Sequence, residues 1–304
     1  MDIKAQIKQK AYDAGFSGCG FTGVELPQKD AERLNIWLHR NYNALMQWME
    51  RNIEKRSNVV LLEPWAKGVV VFTLPYYHEE NRNSEKYSVS RYALGEDYHQ
   101  VVKQKLLAIE EEIHNLNPEA ITRAFCDTAP ILERAFARQA GLGWIGKNTC
   151  LITPDSGSYV FIGIILTNIV LGPDSAESSL CGDCRLCIDS CPANALSEDG
   201  FLDANRCISY LTIEHRGEIM QHDAEIFGNR IFGCDTCQEV CPHNISILSH
   251  GNAAFRVTTS QEQLINGIMP GTNDDIWHKS SFARTGYDGI QRNIELVAKN
   301  KAAL

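Results

Sequence analysis

The sequence predicts an α+β protein: a domain of helices and strands that carries an inserted electron-transfer module. Three observations predict it. Amphipathic helical stretches are interspersed with short apolar runs of strand length. Two of those runs, joined by a turn, read as an antiparallel hairpin rather than as part of a parallel βαβ series. Seven of the eleven cysteines fall in two tight runs near residue 200.

Residues 2–15 form a helix with Ile3, Ile7 and Ala11 on one face. The segment from Phe16 gives a short strand and turn, and a second helix covers 29–40. A third helix carries Met46, Trp48 and Met49, and Ala66 to Tyr77 is a buried strand ended by Pro75. The polar run HEENRNSEKYS is a loop. The segment SRYALGEDYH, from Ser90 to His99, leads into a long helix reaching about residue 115. A strand at 121–126 ends in CDTAP, and Pro130 opens a helix through Arg138, stopped by the glycines of GLGWIGKN. TCLITPDSGSYVFIGIILT reads as a hairpin turning at Pro154 to Gly157. LGPDSAESS is a linker, and the residues after 250 read as helical.

The first cysteine run is CGDCRLCIDSCP and the second is CDTCQEVCP. The first has the C-x-x-C-x-x-C-x-x-x-C-P spacing that wraps one cubane iron–sulfur cluster and sends its fourth thiolate to another. Proline after the last cysteine biases that residue to an extended backbone and turns the chain away. Ile231 stands where the second run would have its leading cysteine. Two cubanes need eight thiolates, so Cys207, the only other cysteine between the runs, completes the set. By the crossing rule, Cys181, Cys184, Cys187 and Cys241 hold one cluster, and Cys191, Cys207, Cys234 and Cys237 hold the other. Zinc sites use paired C-x-x-C units rather than a triple run closed by Cys-Pro. Disulfides do not suit a chain without a secretory signal. Cys19, Cys126 and Cys150 are left over and read as small buried apolar residues.

At 304 residues, 44% hydrophobic and 22% charged, the chain has the composition of an ordinary globular protein. Its longest apolar run, Tyr159 to Leu171, is too short to span a bilayer. No export signal precedes the first helix, so the expected location is cytoplasmic. The net charge of −9 argues against a surface coated in nucleic acid but leaves room for a local basic face. A ferredoxin needs only ~60 residues, in line with small metal-stabilised domains. The long segment ahead of the cysteines therefore holds whatever the electrons reach.

CDTAPILERAFARQAGLGWIGKN (Cys126 to Asn148), SRYALGEDYH, the cysteine pattern and CISYLTIEHRGEI (from Cys207) together resemble the epoxyqueuosine reductase family. The resemblance covers about residues 1–250 and continues weakly into SFARTGYDGIQRN. It implies reduction of epoxyqueuosine to queuosine in a tRNA anticodon loop. It also implies two [4Fe–4S] clusters, cobalamin and an external low-potential electron donor acting on a monomer with no membrane partner. The implied organisation is a cobalamin-binding α/β domain with an antiparallel or mixed sheet over 1–174. A two-cluster ferredoxin-like module follows over 175–250, then short C-terminal helices over 251–304. Longer members continue into helical repeats that this sequence does not carry, so its grip on tRNA is expected to differ.

The resemblance assigns Asp127 as proton donor to the departing oxygen. To act near neutral pH its acid form must be favoured, most simply by burial beside the apolar corrin. From the residues alone, Asp127 reads more readily as a cap for the helix at Pro130. Arg56, Ser90, Leu151, Ile162, Ser209, Arg216 and Asp235 resemble cobalamin-contacting positions. Tyr98, His99, Arg134 and Lys147 lie in family-like runs and are candidates for contacting substrate. Otherwise Arg134 is an ion-pair partner on a helix face and His99 an exposed helix-start residue. Trp144, Tyr98 and Tyr210 are stacking candidates for a splayed base, or core aromatics. Two other functions stay open at this level: a corrinoid reductive dehalogenase acting on a small molecule, and a corrin-free two-cluster electron carrier.

Overall fold

The strand Gly68–Pro75 is buried along its whole length, and the domain is layered around it. The computed structural model describes residues 2–79, 82–176, 178–249 and 252–302. Glu80 and Asn81 of the expected polar loop, Glu177 of the linker and the expected boundary at 250–251 lie outside the described residues. The main sheet has four antiparallel strands in the order Gly18–Thr22, Gly68–Pro75, Val160–Thr167, Thr122–Phe125. Alternation along the second strand serves two cores, as the pleat requires. Val70, Phe72 and Leu74 pack with the helices Ile3–Asp13 and Tyr98–Leu116. Val69 and Val71 pack on the other face with the helix Glu133–Gln139. Helices on both faces explain why these strands read as continuous apolar runs.

A third core lies beyond the sheet. It joins the segment after residue 190 to the C-terminal helices Thr259–Ile265, Ile276–Lys279 and Gly286–Ala302. The fully buried Asn293 fastens the last helix by donating to the carbonyls of Thr212 and Ile231 at 2.8 and 2.9 Å. A short parallel pair, Ser88–Val89 against Arg230–Phe232, ties this body to the loop before Tyr98.

Three expected elements differ. The helix at Met46–Met49 is one 3-10 turn, Gln47–Met49, flanked by Asn41, Ala44 and Asn52 in left-handed backbone, which interrupts any longer helix. The helix expected from Pro130 begins at Glu133. The amide of Leu132, the N-cap residue, donates to the carbonyl of Arg56. The hairpin keeps its turn, with Thr153 bridged to Gly157, but its strands part. Leu151–Ile152 pairs with Trp144–Ile145, because both edges of Val160–Thr167 are taken by the main sheet.

Candidate active site

The two cysteine runs fold alike. Each makes a turn into a four-residue helix, Leu186–Asp189 or Thr236–Glu239, and then reaches Cys-Pro. Cys241 is extended (ψ 124°), as a residue before proline should be. Burial raises the Cys187 thiol, and the charges of Cys181, Cys241 and Cys184 add to the shift. Cys241 is raised by burial and by Cys181 and Cys184. Cys207 is raised by burial and by Cys234 and Cys191. Cys237 is raised by burial and by Cys150, Cys207 and Cys234. Apart from Cys150, each cysteine that raises another here shares one of the two expected fours with it. Among the described residues, no three His, Cys, Asp or Glu side chains close on a single-ion site.

Cys150 is the residue that sequence reasoning misjudged. It is half-buried rather than buried, and it faces both sets, with charge coupling to Cys237, Cys241 and Cys187. Its position follows from the strand pair at 144–152, which spacing did not reveal. Cys19 and Cys126 are buried as expected.

Asp127 follows the strand Thr122–Phe125 and adopts a left-handed backbone, φ 52°. That conformation costs a non-glycine residue about 1–2 kcal/mol. Two contacts hold it. Its amide donates to Glu133 Oε1 at 2.7 Å, and its Oδ2 accepts from the Tyr98 hydroxyl at 2.6 Å. The Asp127 side chain does not cap the helix, whose N-cap position is Leu132. Nor does the protein bury it: the side chain is 67% exposed, because the turn aims it outward towards Tyr98. The expected burial of Asp127 by the protein is therefore not found.

Tyr98 opens the long helix and stacks on Phe161, ring centroids 4.4 Å apart and nearly parallel. Burial and then the Asp127 charge raise its phenol well above the usual range. His99 Nδ1 meets Asp97 Oδ1 at 2.7 Å, and its Nε2 lies 3.8 Å from Asp127 Oδ2. Burial works to raise Asp97, but hydrogen bonds from the His99 ring and backbone outweigh it and hold the carboxyl below its ordinary value. An ionised Asp97 fixes the proton on Nδ1 and leaves Nε2 facing Asp127. Glu133 is raised to about 8, first by burial and then by the charge of Asp127.

The other candidates distribute as follows. Arg134 is exposed and donates to the backbone carbonyl of Thr149, not to a carboxylate. Lys147 Nζ donates to the carbonyls of Gly182 and Cys184, bracing the first cysteine run. Trp144 and Tyr210 are buried, 2% and 6% exposed, so both are core aromatics rather than base-stacking surfaces. Asp235 is buried among Ser90, the Arg91 amide and Arg82; its carboxyl is raised by burial, which those partners only partly offset. Ser209 Oγ reaches the carbonyl of Cys234, and Arg216 donates to Ile213 and Arg284. Leu151 is buried in the core beneath Glu133–Gln139, and Ile162 packs half-buried against it. Arg284, absent from the expected site, pairs with Glu214 and sits 5.0 Å over the Trp48 ring. Its guanidinium feels the charges of Asp127 and Tyr98.

Comparison with known proteins decides the family. The curated epoxyqueuosine reductase of Cellulophaga algicola is 39% identical over 96% of each chain. The chain belongs to the epoxyqueuosine reductase family. Residues 56–128 match the family model "Epoxyqueuosine reductase QueG, DUF1730", and residues 180–244 match a "4Fe-4S double cluster binding domain". The epoxyqueuosine reductase of Pseudomonas aeruginosa is 42% identical, covering 98% of this chain and 85% of its own. A crystal structure of an epoxyqueuosine reductase with an epoxyqueuosine-modified tRNA-Tyr stem loop superposes with a TM-score of 0.88 at 31% identity, covering 98% of this chain and 81% of that one. A Bacillus subtilis epoxyqueuosine reductase, crystallised with an aspartate-bearing catalytic loop swung out of its active site, gives 0.87 at 31% identity, with the same coverage of both chains. No described helix is long and apolar enough to cross a membrane.

Proposed function

We propose that this chain reduces epoxyqueuosine to queuosine in a tRNA anticodon loop, using two [4Fe–4S] clusters and cobalamin, with Asp127 as proton donor. The observation that carries this reading is the Asp127 carboxylate, held outward by the Tyr98 hydroxyl in a member of this family. Residues 1–174 form the catalytic part, 175–250 the cluster part and 251–304 a helical buttress.

Residues present suit both groups. Cys181, Cys184, Cys187 and Cys241 hold one cluster, and Cys191, Cys207, Cys234 and Cys237 the other. Arg56 fits a ligand that brings its own anion or carbonyls, as cobalamin does with its phosphodiester and amides. It is 7% exposed, its Nε has no partner, and its guanidinium donates to the Trp48 carbonyl. Burial lowers its pKa for want of a counter-charge. Ser90, Leu151, Ile162, Ser209, Arg216 and Asp235 are assigned to the same ligand.

When bound, the clusters relay single electrons and the corrin supplies a strong two-electron reductant. Converting an epoxide to an alkene consumes two electrons and two protons and releases water. Asp127 delivers a proton to the departing oxygen, since an unprotonated oxide is a poor leaving group. Tyr98 and His99 aim that carboxyl, and Arg134 lies at the rim of the same turn. Lys147 supports the site through the cysteine run that it braces. The exposed carboxylate suits a base splayed out of its loop, which covers the cleft on entering. The electron donor is an external low-potential carrier, and the enzyme works as a cytoplasmic monomer.

The test is turnover of epoxyqueuosine-bearing tRNA by protein reconstituted with iron, sulfide and cobalamin under a strong reductant. Asp127→Asn should retain both cofactors by absorption and spin resonance and lose about 100- to 10,000-fold in kcat. Loss of cobalamin instead of rate would remove the donor role.

A further inference from the structure

Among the described residues, Glu133 is the carboxyl that meets the Asp127 backbone. It opens the helix Glu133–Gln139, and its Oε1 accepts the Asp127 amide at 2.7 Å. The turn that it closes is the strained one: the residue held is an aspartate at φ 52° rather than a glycine. Without that acceptor the strain has no local compensation at the amide, and an extended backbone would carry the carboxyl away from the Tyr98 hydroxyl.

We propose that Glu133 is the positioning residue for Asp127, holding the proton-donating carboxyl in register with Tyr98 through the Asp127 amide. This rests on the assignment of Asp127 as donor.

The charge environment supports the same role. Charged or titratable groups facing Glu133 are Asp127, Cys126 and Arg134. Those facing Asp127 are Tyr98, His99, Tyr92, Arg284, Cys126 and Glu133. The hydrogen bond from the Asp127 amide and the charge of Arg134 only partly offset the burial of Glu133 and the Asp127 charge, so Glu133 is raised to about 8 and at neutral pH is mostly the uncharged acid. In that form its carbonyl oxygen still accepts the amide, and it places no second negative charge beside Asp127. Ionisation above about 8 introduces that charge and loosens the turn.

Two substitutions separate the possibilities. Glutamine keeps the acceptor oxygen and cannot ionise; alanine removes the acceptor. Glu133→Ala should lower kcat about 10- to 100-fold with KM for tRNA little changed, as for a misplaced catalytic group. Glu133→Gln should keep most of kcat at pH 7 and show no fall in rate above about pH 8, where the native enzyme should show one. In the cofactor-free protein, hydrogen exchange at the Asp127 amide should speed up in the alanine variant and stay slow in the glutamine variant. Equal kcat in the alanine and native proteins, or equal losses in both variants, overturns the proposal. If alanine does not fold, the glutamine pH profile and its Asp127 exchange rate still decide it. Full turnover by Asp127→Asn would defeat the donor assignment instead, while the exchange measurement still reports whether Glu133 holds the turn.

Discussion

The first cysteine run draws three thiols from one turn and the short helix after it, and the second draws Cys234 and Cys237 in the same way, whereas Asp127 takes its partners from residues 97–99, 133 and, through charge, 284. The cluster ligands are therefore local and countable. The Asp127 turn is assembled from a strand end, two helix starts and the C-terminal segment. A site built mostly from one turn tolerates movement of other bodies, although Cys191 and Cys241 cross between the runs and Cys207 stands outside both. A distributed site depends on every body staying docked, which makes it sensitive to substitutions far away in sequence.

Cys207 tests the comparison hardest, because it is the one ligand outside a run. It stands at the start of the helix Ile208–Ile213 and couples to Cys234 and Cys191. Cys207→Ala should leave the cluster of Cys181, Cys184, Cys187 and Cys241 intact and lose the other, cutting iron per chain by roughly half. Retention of all the iron would mean that another thiol, such as Cys150, serves as the eighth ligand.

The same contrast explains what was legible in the sequence. The cysteine sets, the helix Tyr98–Leu116 and the buried strand Gly68–Pro75 follow from spacing and periodicity within one segment. The pairing of Leu151–Ile152 with Trp144–Ile145 does not, since it depends on two other strands having occupied Val160–Thr167. Glu133 and Arg284 were invisible for a related reason. A carboxylate at a helix start and an arginine in a polar segment carry no pattern that names Asp127 as their neighbour. Cys150 looked like a spare because its distance from the clusters is set by tertiary packing.

An intermediate effect is expected at Tyr98. Phenylalanine keeps the stack on Phe161 and removes only the hydroxyl that meets Asp127. A hydrogen bond to a charged group is worth about 1.5–3 kcal/mol, so Tyr98→Phe should lower kcat about 10- to 100-fold. Thermal unfolding and iron content should stay near native. A fall in iron would show that the two sites are coupled through this helix, against the contrast drawn above.

The smallest effect on rate, and the clearest on docking, should come from Gln261. It is 1% exposed, on the helix Thr259–Ile265, and it accepts from the Gly95 amide at 2.8 Å while donating to the carbonyls of Ala93 and Gly95. Those residues form the loop that delivers Asp97, Tyr98 and His99. Gly95 is itself confined: φ is +76°, and an added Cβ would lie 2.1 Å from the Ala254 carbonyl oxygen. The C-terminal segment thus fixes the start of the Tyr98 helix from outside. Gln261→Leu preserves side-chain bulk but leaves buried backbone groups without partners, at about 1–3 kcal/mol for each group left unsatisfied. Denaturant unfolding should show that loss, with the cluster content unchanged. If kcat falls further than in Tyr98→Phe, the buttress does more than hold the loop, and the C-terminal segment becomes part of the site through Arg284.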